Sequence, residues 1–378
     1  MTLTPVNRQR SNDIISVVVG PEDERPEPGP KLDQPRNLST GTSEGRMALL
    51  GSAVASFALV WLIYGWLLPT SGTIGFVIVW IATFLFLYAA ATWMSNPLIV
   101  VKDRLVGALA GVAALIVFAA LASTVAYTAY RGRDALVHLN FYTHDMAGVR
   151  PTDPLTQGGI LHAIYGSFIE VAIASALALP LGIGTAVYLT EVGGRMARPV
   201  RTVVEAMTAL PDILAGLFIY TVLILGLGWG RSGFAAACAL FVMMVPIIAR
   251  SAEIQLRLVS GGLREAGLAL GSSQWATVRR VVLPTAKSGL ATALILAIAR
   301  AVGETAPVLI TSGASTYFNR NPFSGPMNSL PLFVFTAVRS GEPTYIARGF
   351  GAATVLLALV ITLFVVMRAL ARQKGSRR

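Results

Sequence analysis

Two ionisable residues stand in a run otherwise suited to lipid: Ala299-Arg300-Ala301-Val302-Gly303-Glu304-Thr305-Ala306-Pro307. Arg300 and Glu304 are four residues apart, so a helix sets them on one face, one turn from each other. Arg300 follows Lys287 by thirteen residues. At ~1.5 Å of rise per residue it lies roughly 20 Å further in, too deep for easy snorkelling. Ionisable groups at such depth are costly and face a water-filled path or a partner. Two readings stand side by side. In one, the pair neutralises itself as a buried clamp. In the other it lines an anion path, with Thr305 beside it. Arginine presents a planar fork of donors suited to a tetrahedral oxyanion. A neighbouring carboxylate sorts oxyanions by protonation: hydrogen phosphate keeps an O–H donor near neutral pH, sulfate has none and is repelled. Glu170 is a second acid within an apolar run. It pairs with an arginine of this chain, pairs with one of a partner, or faces an outer aqueous vestibule. His138, His144 and His162 show no metal-ligand spacing and suit solvated or capping roles. Glu205 and Asp212, flanking the fifth apolar segment, are expected to be wet.

A second constellation is polar. Residues 250–287 are too hydrophilic to span a membrane and carry Arg264-Glu265-Ala266-Gly267-Leu268-Ala269-Leu270-Gly271, then Val281-Val282-Leu283-Pro284. Two short helices are expected. One covers about 251–270 with Ser251 as N-cap; the other starts near Ser272-Ser273 and ends before Pro284. Gly271 between them meets a turn's demand for positive φ. Glu265 can accept hydrogen bonds or pair with a basic residue, and Ala266, Gly267 and Ala269 let a partner surface approach closely. A plain amphipathic helix pair lying at the interface is the bland alternative. No phosphate-binding Gly-x-x-x-x-Gly-Lys-Ser/Thr loop occurs, and Gly226-x-Gly228-x-Gly230 lacks the dinucleotide spacing. If ATP drives this protein, another polypeptide hydrolyses it.

The elements that position these residues are membrane helices. Only 13% of the 378 residues are charged and 54% are hydrophobic, about half the charged share of a soluble domain. Mean hydropathy is +0.65. Apolar runs of ~18 residues or more predict an all-α polytopic membrane protein, and the weak ten-residue alternation of a β-barrel is absent. Eight spans are expected, near 47–68, 73–94, 105–130, 161–190, 211–229, 232–249, 288–313 and 347–369. The first two form a hairpin turning at Pro69-Thr70-Ser71-Gly72. The net charge of +11 collects in Lys102, Arg104, Arg195, Arg198, Arg201, Arg250, Arg257, Arg264, Arg279, Arg280, Arg368 and the C-terminal tail. With eight spans these share one side with the N-terminus, and the positive-inside rule makes that side cytoplasmic. Topology thus accounts for the basic balance, and nucleic acid is not implied. Cys238, the one cysteine, excludes an intramolecular disulfide. The expected organisation is a Pro-rich disordered cytoplasmic tail without a signal peptide (1–46), a transmembrane hairpin and loop (47–104), a helix with an external loop (105–160), a core (161–371) and a basic tail (372–378).

The residues also carry resemblances. Glu265-Ala266, Gly271 six residues after Glu265, Val281 ten further on and Leu283-Pro284 resemble the EAA coupling loop of ABC importer permeases. Gly267 stands where Ala is common and Val281 where Ile is. Residues Ala299 to Leu309 resemble the signature of the PstA family, permease subunits of the phosphate ABC importer. Gly158-Gly159-Ile160, Ala163-Ile164-Tyr165-Gly166-Ser167, Leu179-Pro180-Leu181-Gly182-Ile183 and Val187-Tyr188-Leu189-Thr190-Glu191 agree with it. The resemblance covers about 105–371. It leaves the leader and first hairpin aside, since that family typically has six spans, and Glu170 departs from its usual apolar residue.

The resemblance implies a MetI-like permease core of five helices in the plasma (inner) cell membrane, with both termini cytoplasmic. It implies a pore shared with a PstC-like permease and a PstB-like ATPase dimer docked on Glu265, Ala266, Gly267, Gly271, Leu283 and Pro284. A PstS-like binding protein would deliver phosphate to loops 131–160 and 314–346. The chain itself would be no enzyme and hold no cofactor; the ATPase uses ATP and Mg. Arg300, Glu304 and Thr305 become pathway residues, and alternating access the mechanism. Three rivals remain. A permease for sulfate or molybdate shares the coupling loop but lacks the Arg300-x-x-x-Glu304-Thr305 pattern. A membrane enzyme on lipid-linked substrates needs a cluster of acids, histidines or metal ligands at the interface. A passive anion channel needs no coupling loop.

Overall fold

The computed structural model describes residues 43–67 and 72–372. Most of the expected N-terminal tail, the hairpin turn at Pro69-Thr70-Ser71 and nearly all of the basic C-terminal tail lie outside the described residues. The chain divides into two compact units, Met1–Phe118 and Ala119–Arg378.

In the first unit, Ser43–Leu62 (α1), extended by a π turn over Ile63–Leu67, pairs with Thr73–Trp93 (α2). Aromatic edges fill the seam: Phe57 meets Trp80 at 5.5 Å, and Tyr64 meets Phe76 at 5.6 Å. A polar tie across it is Trp80 Nε1 donating to Ser56 Oγ at 3.1 Å. The pairing of 57 with 80 and 64 with 76 makes the two helices antiparallel. The helix Leu98–Leu136 (α3) is 39 residues long, so the expected segment 105–130 is only its middle.

The second unit holds the core. After a short turn of helix at Asn140–Thr143 (α4) come Leu161–Val187 (α5), continued by a π turn to Val192, and the amphipathic Ala197–Ala209 (α6). Then follow Asp212–Ile219 (α7), continued by a π segment to Gly226, and Gly233–Arg257 (α8). The last group is Gly261–Ala269 (α9), Gln274–Thr277 (α10), Leu283–Val302 (α11), Ala306–Thr311 (α12), Leu330–Val338 (α13) and Pro343–Arg372 (α14). Among the described residues seven helices are long and apolar enough to cross a membrane, and eight if the α6–α7 pair, bent by 104°, counts as one span.

Helices in lipid gain little from the hydrophobic effect and pack through close backbone approach at small residues. α5 and α8 meet where a Cβ on Gly182 would stand 2.6 Å from Ile248 Cγ2, and α3 and α14 meet where one on Gly132 would stand 2.5 Å from the Gly351 nitrogen. Ala235, Ala236, Ala237 and Ala239 of α8 are fully buried, and α8 is the centre on which α5, α11 and α12 pack.

Four expectations change here. α8 runs eight residues past its expected end at 249, so Ser251 lies inside a helix and caps nothing. The second coupling helix does not stop before Pro284. The π segment Val278–Val282 widens the turn where a proline would clash, and the helix runs unbroken from Gln274 to Val302. The expected span 288–313 breaks at Gly303-Glu304-Thr305 before α12. The expected external loop 314–346 contains α13, whose Leu330, Leu332, Phe333 and Ala337 are fully buried. Gly271 is a positive-φ joint as expected, at φ +78°, and Ser273 caps α10, accepting from the Ala276 N–H.

Candidate functional site

The break after α11 places the charges. Arg300 lies in the last turn of α11, and Glu304 follows the capping Gly303. The Arg300 Nε lies 3.4 Å from Glu304 Oε1, the expected i,i+4 pair. The guanidinium also donates from Nη2 to Asp212 Oδ2 at 2.8 Å. Asp212, expected to be wet at the mouth of a span, is therefore at the depth of Arg300. The reason is α6. The chain turns through this amphipathic helix and a sharp bend before α7 begins, so α7 with its π segment is 15 residues, roughly 22 Å, short of a ~30 Å hydrocarbon layer. α7 reaches α12 through Gly216, where a Cβ would meet the Pro307 Cα at 2.6 Å. The signal available was an acid opening an apolar segment just after Pro211, with a glycine one turn on.

Burial divides the trio. The Glu304 side chain is 17% exposed, that of Asp212 31% and that of Arg300 53%. Arg300 ends an exposed stripe on α11 spaced by four: Ser288, Thr292, Leu296, Arg300. Three of the four are polar, which suits a wet or protein-covered face better than lipid. Thr305 is half-buried, and its carbonyl accepts the Leu309 N–H to start α12. Glu170 meets no arginine among the described residues. It is fully buried on α5 and lines a small cavity with Glu304.

The coupling segment is held from behind and open in front. Arg264 forks onto Glu191, with Nη2 2.9 Å from Oε1 and Nε 3.1 Å from both carboxylate oxygens. Its remaining donors reach the Leu256 and Val259 carbonyls at 2.8 and 2.6 Å. One side chain thus ties the end of α5, the end of α8 and α9 together. Gln274 adds a hydrogen bond to the Glu191 carbonyl. Gly267 is buried because a Cβ there would press on Thr277 Cγ2 at 2.9 Å, so the absence of a side chain lets α9 lie against α10. Leu283 packs on the cluster beneath, while Pro284 is exposed. The outward face shows Glu265, Ala266, Leu268, Leu270 and Trp275, with Leu270 88% exposed and Trp275 64%. Glu265 has no ion pair among the described residues. Large apolar side chains thus stand exposed on a segment that is otherwise polar. Sequence reasoning had Glu191 and Arg264 on the page separately; the bond between them joins positions 73 apart.

Residues 178–375 match the profile of the binding-protein-dependent transport system inner membrane component family. The chain is 42% identical over 234 residues to the phosphate transport system permease protein PstA 1 of Mycobacterium tuberculosis H37Rv, covering 62% of this chain and 75% of that one. It is 36% identical over 216 residues to the PstA permease protein of Xylella fastidiosa 9a5c, covering 57% and 73%. An inward-facing structure of the MetNI methionine ABC transporter aligns at 23% identity and a TM-score of 0.45, over 57% of this chain and 93% of that one.

Proposed function

The chain belongs to the family of binding-protein-dependent transport system inner membrane components, and on that premise we propose that it is the membrane-spanning permease subunit of an ATP-driven importer of inorganic phosphate. The substrate rests on relatives named as phosphate transport permeases, 36–42% identical across about three quarters of their length. The observation in the molecule that supports it is the Arg300 guanidinium, held by Asp212 and Glu304 and half exposed along one face of α11. Sulfate or molybdate import, passive conduction and lipid-linked enzymology each lack a comparable observation.

Arg300 binds the phosphate oxygens, Glu304 accepts the hydrogen bond of the protonated oxygen, and Thr305 borders the same path. The two acids hold the guanidinium oriented when no anion is bound. A PstC-like permease covers the Ser288–Arg300 stripe and completes the pore. A PstB-like ATPase dimer takes Leu270 and Trp275 into its surface and hydrolyses ATP with Mg. A PstS-like protein delivers phosphate from outside, and both termini of this chain lie in the cytoplasm. Motion of the ATPase pair moves α9. Through the Arg264–Glu191 fork it pulls on α5 and α8, which rock the bundle between inward and outward openings.

The test is reconstitution of the chain with its candidate partners in vesicles, followed by ATP-dependent uptake of labelled phosphate against excess sulfate. Phosphate uptake that sulfate does not suppress supports the reading. A well-assembled complex that takes up sulfate and not phosphate moves the substrate to another oxyanion.

A further inference from the structure

Glu170 is 1% exposed, and its Oε1 has no hydrogen-bond partner among the described residues. It lines a small cavity together with Ser167, Ser329 and Glu304. Ser329 is 3% exposed, and its Oγ also lacks a partner among the described residues. Ser167 Oγ accepts the Leu330 N–H at 2.7 Å, with a lone pair to spare. The rest of the wall, from α8, the end of α11, α12 and Pro331 of α13, is apolar. Every polar side-chain atom on the wall is an oxygen, and Glu170 and Glu304 are its only titratable groups. The space open to a water-sized sphere is about that of one such species.

Charge decides what such a species is. Asp212 and Glu304 already share the single guanidinium of Arg300, and Glu170 adds a third carboxyl with no cation of its own. A carboxylate away from water is strongly unfavourable unless a positive charge or a proton compensates it. An apolar filler would leave both Glu170 Oε1 and Ser329 Oγ orphaned, and an anion would meet two carboxyls.

We propose that this cavity is a cation site, holding one Na⁺ between Glu170 and Glu304 with the Ser167 and Ser329 hydroxyls as further ligands. Hard oxygen donors suit this ion. The site neutralises surplus negative charge beside Arg300 and ties Glu304 to the packing of α5 and α13. It stands whatever anion the protein carries.

The experiment uses the full chain in its assembled complex, in lipid discs. Two measurements are made on wild type, Glu170→Gln, Glu170→Met and Ser329→Ala. One is equilibrium binding of radiolabelled Na⁺; the other is the infrared C=O stretch of a protonated carboxylic acid. Saturable Na⁺ binding that is lost in both Glu170 variants and weakened about tenfold in Ser329→Ala identifies sodium. No Na⁺ binding in assembled wild type overturns the proposal, and an acid C=O band present there and lost in both Glu170 variants then shows a protonated Glu170 in place of a bound cation. The two substitutions guard against misfolding, since Met keeps the volume of Glu and Gln its shape. Na⁺ binding that persists in both Glu170 variants overturns it as well.

Discussion

At the scale of residues, the account rests on which charge touches which. Arg300 holds two acids, and the proposed function gives each a different task. On that proposal Asp212, 2.8 Å from Nη2, orients the fork, and Glu304, less exposed and 3.4 Å from Nε, faces the substrate's proton. Glu304→Gln keeps shape and removes repulsion toward a fully deprotonated oxyanion. With the binding protein bypassed, it is expected to admit sulfate at a rate within about tenfold of phosphate, one pair of like charges being worth roughly 1–2 kcal/mol across a partly wet site. Unchanged discrimination in the uptake ratio would remove Glu304 from selectivity. Arg264 makes a second prediction. Its carboxylate partner is 7% exposed and it is itself 24% exposed, so Arg264→Met leaves a nearly buried carboxylate unpaired. About 2–3 kcal/mol of local stability goes, discounted from the fully buried case for the partial exposure. The expected result is ATPase activity that no longer drives uptake, with the complex still assembled. Coupled transport at the wild-type ratio of phosphate to ATP would contradict the lever.

At the scale of elements, short helices and breaks position the site more than long spans do. α7 reaches α12 only because Gly216 has no side chain. Gly216→Val adds atoms where even a Cβ would sit 2.6 Å from Pro307, and such overpacking costs about 1–3 kcal/mol. It separates Asp212 from Arg300, so phosphate uptake is expected to fall at least tenfold while Gly184→Val, at a glycine with nothing within 4 Å, leaves it near normal. Equal uptake by the two variants would dismiss the α7–α12 contact as a positioning device. The same elements show what the chain made legible. Long apolar runs announced the spans, and the i,i+4 spacing announced the Arg300–Glu304 pair, because both are local patterns. Pro284 misled: proline ends most helices, and only the π widening over Val278–Val282 let this one continue. The bond between Asp212 and Arg300 is not legible in the sequence because the two are 88 residues apart, a distance that periodicity does not register. α13 reads as loop in the sequence because its nine residues are too few to span and show no strong period.

At the scale of the whole molecule, the described chain leaves two surfaces whose chemistry calls for partners. One is the coupling face with Leu270 and Trp275. The other is the Ser288–Thr292–Leu296–Arg300 stripe, where a guanidinium facing lipid would be costly. A single cysteine at Thr292, in a Cys238→Ser background, is expected to cross-link to the second permease of the complex, and a cysteine at Phe118 on lipid-exposed α3 is not. Cross-linking at 118 and none at 292 would place the pore on another face.

The most direct measurement is ATP-dependent phosphate uptake by assembled complexes carrying Arg300→Ala, Arg300→Lys and Asp212→Asn. If Arg300 binds the anion through its fork and Asp212 orients it, Ala abolishes uptake and Lys, a point charge without the fork, retains a small fraction. Asn lowers uptake about tenfold with ATPase docking intact. Uptake in Arg300→Ala equal to wild type would contradict the account, because it would leave the guanidinium as a structural tie and the anion path elsewhere in the bundle.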